Sequence, residues 1–234
     1  MIITKLKDFM YPKRCPICDD VLPAGEKICP VCRVGLKYIK EPRCMKCGKG
    51  PLSHGEIFCH DCRKTEHVYD RGFALYDYSC ISESVYRFKY EKRQEYADFY
   101  ADEIYEHLYD EVQSMKTDCF IPVPISAQRL YKRGYNQAGL IAAGLSDRFG
   151  IPCFSDIVVR ARNTAPLKTM GPSERQNNLK GSFKMTCDDV KCTTTIIIDD
   201  IYTTGSTIDE ISRLLKKSGV RNCFFITLSI GKGI

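Results

Sequence analysis

The run Ile197-Ile198-Asp199-Asp200-Ile201-Tyr202-Thr203-Thr204-Gly205-Ser206-Thr207 admits few folds. Thr193 to Ile198 is β-branched and apolar, the pattern of a strand buried on both faces. Thr203 to Thr207 is a turn of hydroxyls around one glycine. Ile208, Ile211 and Leu215 then recur at helical spacing, and Gly219 sits where such a helix ends. A strand, a short loop and a helix place an anion on the helix N-terminus, where free backbone N–H groups and the positive end of the dipole meet it. Gly205 lets the backbone come close, and Thr203, Thr204, Ser206 and Thr207 add hydroxyl donors. Asp199 and Asp200 stand at the carboxyl end of the strand, where open α/β sheets bind their ligands. Two adjacent acids ending a buried strand are costly without a partner. A phosphate cradle beside two acceptor-only carboxylates fits a sugar phosphate with free hydroxyls.

This segment resembles the phosphoribosyl-pyrophosphate (PRPP) loop of type I phosphoribosyltransferases. The resemblance implies that Asp199 and Asp200 are the catalytic pair and hold the ribose 2′- and 3′-hydroxyls. It also implies that Thr203, Thr204, Gly205, Ser206 and Thr207 wrap the 5′-phosphate.

The N-terminal quarter is organised differently. Eight of the 14 cysteines fall between Cys15 and Cys62. They form four C-x2-C turns, Cys15/Cys18, Cys29/Cys32, Cys44/Cys47 and Cys59/Cys62, and the second half repeats the first at about thirty residues. One such turn presents two thiolates to a metal, and two close a tetrahedral four-cysteine site of the structural zinc type. Two structural Zn²⁺ ions are expected. Sequential pairing of the turns needs only hairpins and is favoured, although interleaved spacings also work. The stretch is too small to bury a core, so metal supplies its folding energy. Loss of one ligand should then disorder this module and spare the rest. With eight thiolates and two Zn²⁺ counted, the chain's formal charge of +6 falls to +2. The formal charge alone therefore does not establish a nucleic-acid surface.

Further along, Gly72–Tyr78 is strand-like, and Glu95 to Val112 reads as one helix with a solvated acidic face. Asp118–Pro124 reads as the first strand of the main sheet and Ile151–Val159 as the second. Between them lies a polar loop with Arg129, Lys132 and Arg133, cations that suit a pyrophosphate. Arg160 to Ser182 is long, irregular and basic, which marks a functional segment. Arg221–Ser229 is a last strand, and the six remaining cysteines read mostly as small buried hydrophobes. Two domains follow, a zinc module over 1–67 and a sheet domain over 68–234.

Several motifs narrow the family. Pro122-Val-Pro124, then Arg129 and Arg133-Gly-Tyr-Asn-Gln-Ala138, resemble ComF/GntX proteins, which also carry an N-terminal double zinc ribbon. Arg160-Ala-Arg162-Asn-Thr164, Glu174-Arg175-Gln-Asn-Asn178 and Gly181-Ser-Phe183 fit the same family. Many members have Thr-x-x-Gln where this chain has Thr164-Ala-Pro-Leu167. The resemblance implies a type I phosphoribosyltransferase-like α/β fold, a parallel sheet flanked by helices. It implies pyrophosphate contacts from Arg129, Arg133, Arg162 and Arg175, and a loop over 160–182 that closes on the site. It implies Mg²⁺ arriving with PRPP. ComF relatives are associated with DNA uptake in natural transformation.

Two functions follow from these features. One is pentosyl transfer from PRPP or a related ribose phosphate. The alternative is a non-catalytic single-stranded-DNA-binding protein that keeps the phosphate site for sensing, with DNA-uptake proteins as partners. Residues 120–182 carry net +6, and Tyr131 and Tyr135 could stack on bases. No apolar run approaches the ~20 residues of a membrane span, and the N-terminus lacks a signal-peptide core. A cytoplasmic location without membrane insertion is expected.

Overall fold

A computed structural model describes residues 12–161, 181–187 and 190–231. Its centre is a four-stranded, wholly parallel sheet in the order β1-β6-β5-β2. The strands are β1 (Arg71–Asp77), β2 (Cys119–Pro122), β5 (Thr194–Tyr202) and β6 (Asn222–Ile230). A separate antiparallel hairpin joins β3 (Val158–Arg160) to β4 (Phe183–Met185). Parallel strands need crossovers, and helices supply them. Between β1 and β2 run α3 (Tyr78–Tyr90), α4 (Tyr96–His107) and α5 (Tyr109–Met115). After β2 come α6 (Ala127–Arg133) and α7 (Gln137–Phe149), and α8 (Ser206–Lys217) links β5 to β6. The short α1 (Pro30–Gly35) and α2 (His60–Lys64) belong to the cysteine-rich part. Among the described residues no helix is long and apolar enough to cross a membrane.

Strand β5 explains the layering. Ile196, Ile197 and Ile198 are all fully buried, as a central strand covered on both faces requires. Ile196 and Ile198 pack with Val85, Phe88, Tyr100, Ile104, Ile141 and Leu145 of α3, α4 and α7. Ile197 packs on the other face with Ile208, Ile211 and Leu215 of α8. Side chains alternate along a strand, so Asp199 and Asp200 leave β5 towards opposite faces.

The expected parallel sheet with flanking helices is present, with differences in detail. The strand-like stretch Gly72–Tyr78 supplies most of β1, an edge of the main sheet, so Asp118–Pro124 is not the first strand. The expected strand over Ile151–Val159 does not form. A single bridge joins Cys153 to Phe120, and Val158–Arg160 turns away into the hairpin. Pro152 has no N–H to give a ladder, and its carbonyl accepts Phe120 N–H at 2.9 Å. The helix expected from Glu95 to Val112 breaks at Leu108 into α4 and α5. The polar loop after β2 contains α6, capped by the Ser126 hydroxyl accepting from Arg129 N–H.

The acidic face of α4 is only partly solvated: Asp98 and Glu106 are exposed, but both halves of the chain converge on Asp102 and Glu103. Asp102 binds Lys27 at 2.5 Å and accepts from Arg148 Nε at 2.8 Å. Glu103 is buried and accepts from the Tyr38 and Tyr76 phenols at 2.7 and 2.5 Å. The cysteine-rich part is also no appendage. Cys15 lies in the core beneath α3 and α4, while Cys44, Cys47 and Cys59 lie in the other core with Tyr69, Phe225 and Ile208. Loss of a ligand in the second half should therefore disturb the sheet core as well as the module. Removing the Glu103 carboxylate leaves two buried phenols without their acceptor. Glu103→Ala should lower the unfolding free energy by about 2–5 kcal/mol in a denaturant titration. A loss under about 0.5 kcal/mol would mean that the phenols find other acceptors.

Candidate functional site

The eight spaced cysteines gather into two groups, Cys15/Cys18/Cys29/Cys32 and Cys44/Cys47/Cys59/Cys62, each with its sulfurs within 4.8 Å of one another. The pairing is sequential. The Cys18–Cys29 and Cys47–Cys59 sulfurs are 3.8 and 3.6 Å apart. A tetrahedron with Zn–S near 2.3 Å has edges of about 3.8 Å, so the donor sets fit zinc. Cys32 N–H points at Cys29 Sγ and Cys59 N–H at Cys44 Sγ, at 3.4 and 3.3 Å, as thiolates prefer. His60 stays exposed and takes no ligand place.

All strands of a parallel sheet end on one edge, and the candidate site lies there. Asp199 and Asp200 fall in the last turns of β5, with Thr203 and Thr204 following and α8 starting at Ser206. Gly205 caps the helix at φ +77°, a left-handed conformation that glycine adopts freely. A Cβ there would lie 2.6 Å from Tyr202 Oη and 3.0 Å from His67 Cε1. Tyr202 cannot yield, since it stacks on Phe225 and bonds Tyr69 Oη at 2.7 Å. The Thr204 and Ser206 hydroxyls are 2.9 Å apart.

The acids are compensated from several elements. Helix α3 starts at the end of β1, and its last turn brings Lys89 Nζ to 2.8 Å from Asp200 Oδ1. Both side chains are less than one-fifth exposed. Asp200 N–H donates to Asp199 Oδ1 at 2.8 Å. Burial pushes the Asp199 carboxyl up to about 7, and the Asp200 charge adds to this; that N–H bond, Lys89 and Arg160 act against it. Burial pulls the Arg160 guanidinium down to about 10, Arg129 reinforces this, and Asp199 opposes it. Arg129, Arg160 and Asp199 thus share one electrostatic neighbourhood.

The other expected residues divide. Arg133 is turned to α3 and α7, donating to Gln137 Oε1 at 2.8 Å and lying over the Tyr90 ring. Arg162 and Arg175, with Thr164 and Leu167, lie outside the described residues. Tyr131 is 92% exposed, but Tyr135 is buried and donates to the Phe88 carbonyl at 2.6 Å, so it cannot stack on a base. Nothing in the sequence singles out Lys89 or the pair His67–Asp209 as part of the site, and Arg160 is marked there only as the first residue of a family motif. Asp209 sits on the first turn of α8 and accepts from His67 Nδ1 at 2.8 Å and Val68 N–H at 2.7 Å. No spacing rule links residues 142 positions apart.

A parallel sheet flanked by helices, carrying two N-terminal four-cysteine sites, defines an α/β protein with a double zinc ribbon. The model of the double zinc ribbon domain matches residues 6–63. Competence protein F of Haemophilus influenzae is 31% identical over 208 residues, covering 84% of this chain and 87% of that protein. DNA utilization protein YhgH of Escherichia coli K12 is 29% identical over 216 residues, 89% of this chain and 92% of its own. Competence protein ComFC of Bacillus subtilis is 27% identical, with 85% and 82% covered. The chain belongs to the ComF family. Among solved structures, a Staphylococcus aureus hypoxanthine phosphoribosyltransferase aligns at a TM-score of 0.36 and 15% identity, over 60% of this chain and 74% of that one. A similarity of that size carries no argument about the site.

Asp199 ionises near pH 4 in an unfolded chain and near 7 in the folded one. The folded state therefore holds an extra proton between those values, and stability falls as pH rises from about 4 to 7. Asp199→Asn should flatten that slope. It should also raise the melting temperature at pH 8, by about 2–4 °C for each kcal/mol recovered. A variant that melts below the parent at pH 8 would show Asp199 stabilising the fold as an anion.

Proposed function

We propose that the chain binds PRPP or a closely related ribose phosphate at the carboxyl edge of its sheet and acts as a phosphoribosyltransferase. The observation that supports this most is the acid pair of β5 standing directly before a glycine-capped helix N-terminus. Backbone N–H groups and the hydroxyls of Thr203, Thr204, Ser206 and Thr207 would take the 5′-phosphate. Asp199 and Asp200 accept hydrogen bonds and suit vicinal ribose hydroxyls. In this reading Arg129 would meet the pyrophosphate, with Arg162 and Arg175, and Arg133 would join only on leaving Gln137 and the Tyr90 ring. Mg²⁺ would enter with PRPP and supply charge neutralisation of the pyrophosphate. The protein would contribute position and electrostatic stabilisation as pyrophosphate leaves the anomeric carbon. Residues 1–67 serve as the zinc module and 68–234 as the binding domain, acting in the cytoplasm.

Hydrogen bonds to charged groups contribute roughly 1.5–3 kcal/mol each. Asp199→Asn combined with Asp200→Asn should weaken PRPP binding by about two to four powers of ten in calorimetry with magnesium present. Inorganic phosphate should bind the double variant as it binds the parent, because the cradle uses no carboxylate. Equal PRPP affinity in both proteins would remove the acids from the ribose site.

A second reading adds single-stranded DNA as a ligand, in DNA uptake. Helix α6 supports it, presenting Tyr131 almost wholly exposed beside Lys132 and the half-exposed Leu130. The names competence protein F and DNA utilization protein, borne by the relatives, agree with it. Affinity should then fall steeply with salt as counterions are released. Tyr131→Ala should cost about 1–3 kcal/mol, the usual size of one base stack. Fluorescence anisotropy with a labelled oligonucleotide measures both. Binding insensitive to salt and to Tyr131 would exclude α6 as the DNA surface.

A further inference from the structure

The second cysteine cluster connects to the Thr203–Thr207 loop through a series of contacts. Its first turn rests on the start of β1: Gly72 N–H donates to the Lys46 carbonyl at 2.8 Å. Gly48, at φ +74°, touches the same backbone so closely that a Cβ would fall 2.5 Å from the Gly72 carbonyl oxygen. Lys46 Nζ sits over the Tyr69 ring, 5.3 Å from its centre. Cys44, Cys47 and Cys59 share one buried cluster with Tyr69, Tyr202 and Ile208.

Tyr69 carries the contact onward. Its hydroxyl bonds Tyr202 Oη at 2.7 Å, and its ring stacks on His67 with centres 4.8 Å apart. Tyr202 Oη and His67 Cε1 together form the floor beneath Gly205. His67 Nδ1 and Val68 N–H hold both oxygens of Asp209 on the first turn of α8. That turn supplies the free N–H groups of the cradle. The first cysteine cluster is held elsewhere. The Pro16 and Ile17 carbonyls accept from Ser84 and Arg87 of α3, and Lys27 pairs with Asp102 of α4.

We infer that the second zinc ribbon is a positioning element of the anion site, acting through Tyr69, Tyr202 and the His67–Asp209 pair. Metal at Cys44/Cys47/Cys59/Cys62 is required for a formed cradle, whereas metal at Cys15/Cys18/Cys29/Cys32 is not. This rests on the reading of Thr203–Thr207 as a phosphate site. A packed core transmits displacement, because it has no slack to absorb it. Without the cation the four cysteines take up protons and lose the bonds that tie their two turns together, and the turn that supports Gly72 and Tyr69 would open. Tyr202 and His67 would then leave the floor of Gly205, and the first turn of α8 would lose its fixed orientation.

Two measurements test this on the full chain. Calorimetry with inorganic phosphate reads the cradle, and amide hydrogen exchange of Gly205–Asp209 reads its order without any ligand. The variants are Cys62→Ser, Cys18→Ser, His67→Ala and His67→Asn, each with its zinc content from elemental analysis. The parent should carry two zinc ions, and each cysteine variant should carry one. Cys62→Ser and His67→Ala should weaken phosphate binding at least tenfold and speed Gly205–Asp209 exchange at least tenfold. His67→Ala should keep both zinc ions. His67→Asn, whose amide N–H can stand where Nδ1 donates, should stay within about threefold of the parent. So should Cys18→Ser. The inference is overturned if Cys62→Ser and His67→Ala behave as the parent, or if Cys18→Ser loses as much as Cys62→Ser. If Cys62→Ser does not fold, the His67 pair decides: loss in His67→Ala without recovery in His67→Asn overturns it. If the parent binds no phosphate, the proposed function falls, and the exchange rates alone decide the inference.

Discussion

Two carboxylates at the end of a strand buried on both faces depend on cations brought to them from other elements. Asp200 is paired by Lys89 from the end of α3, and Asp199 shares its surroundings with Arg160 of β3 and Arg129 of α6. The parallel sheet makes this convergence possible, because β1, β2 and β5 all end on one edge and their following segments meet there. Three cations against two acids leave a positive excess when both acids are ionised. A ligand that carries both hydroxyls and phosphate suits such a site. Its hydroxyls take the acids' acceptor capacity, and its anionic groups meet the excess charge and the helix N-terminus.

The two cysteine clusters meet the sheet domain at different places. Small zinc modules are often pictured as beads on a string, folded by metal and indifferent to their neighbours. Here each cluster is continuous with one of the two cores that sandwich the sheet. The first half clamps α3 and α4 through Asp102, Ser84 and Arg87, and α3 is the helix that delivers Lys89. The second half supports Tyr69 and Tyr202. The first half thus touches the helix that carries Lys89, and the second half the floor of the Thr203–Thr207 turn.

What could be read in the sequence was whatever obeys a local rule. The C-x2-C spacing, the β5–α8 run and the apolar periodicity of α8 are such features, and the structure has them where the residues indicated. The features that escaped depend on pairing at a distance. Ile151–Val159 has the composition of a strand, but Pro152 and the hairpin partner Phe183–Met185 decide against it. Asp102 and Glu103 of α4 look solvated by periodicity alone, because Lys27, Arg148, Tyr38 and Tyr76 come from other segments. Lys89 and His67 were unremarkable for the same reason. Each gains its meaning from a carboxylate more than a hundred residues away.

The same internal pairing bears on nucleic-acid binding. Residues 1–67 look basic on paper, yet two four-thiolate sites with Zn²⁺ contribute net −4. Many of the remaining cations there face acids of this chain: Lys27 with Asp102, Lys49 with Asp61, Arg63 with Glu56, Arg14 with Asp19, and Arg43 with Glu41 and Glu111. A phosphate backbone gains from a cation mainly through released counterions, and a cation already neutralised has few to release. The zinc ribbons are thus poor candidates for an electrostatic DNA track, despite their composition. Helix α6 is different, with Lys132 exposed beside an exposed aromatic ring and the half-buried Arg129 one turn before it. A nucleic-acid contact there would lie beside Arg129, whose charge acts on Arg160.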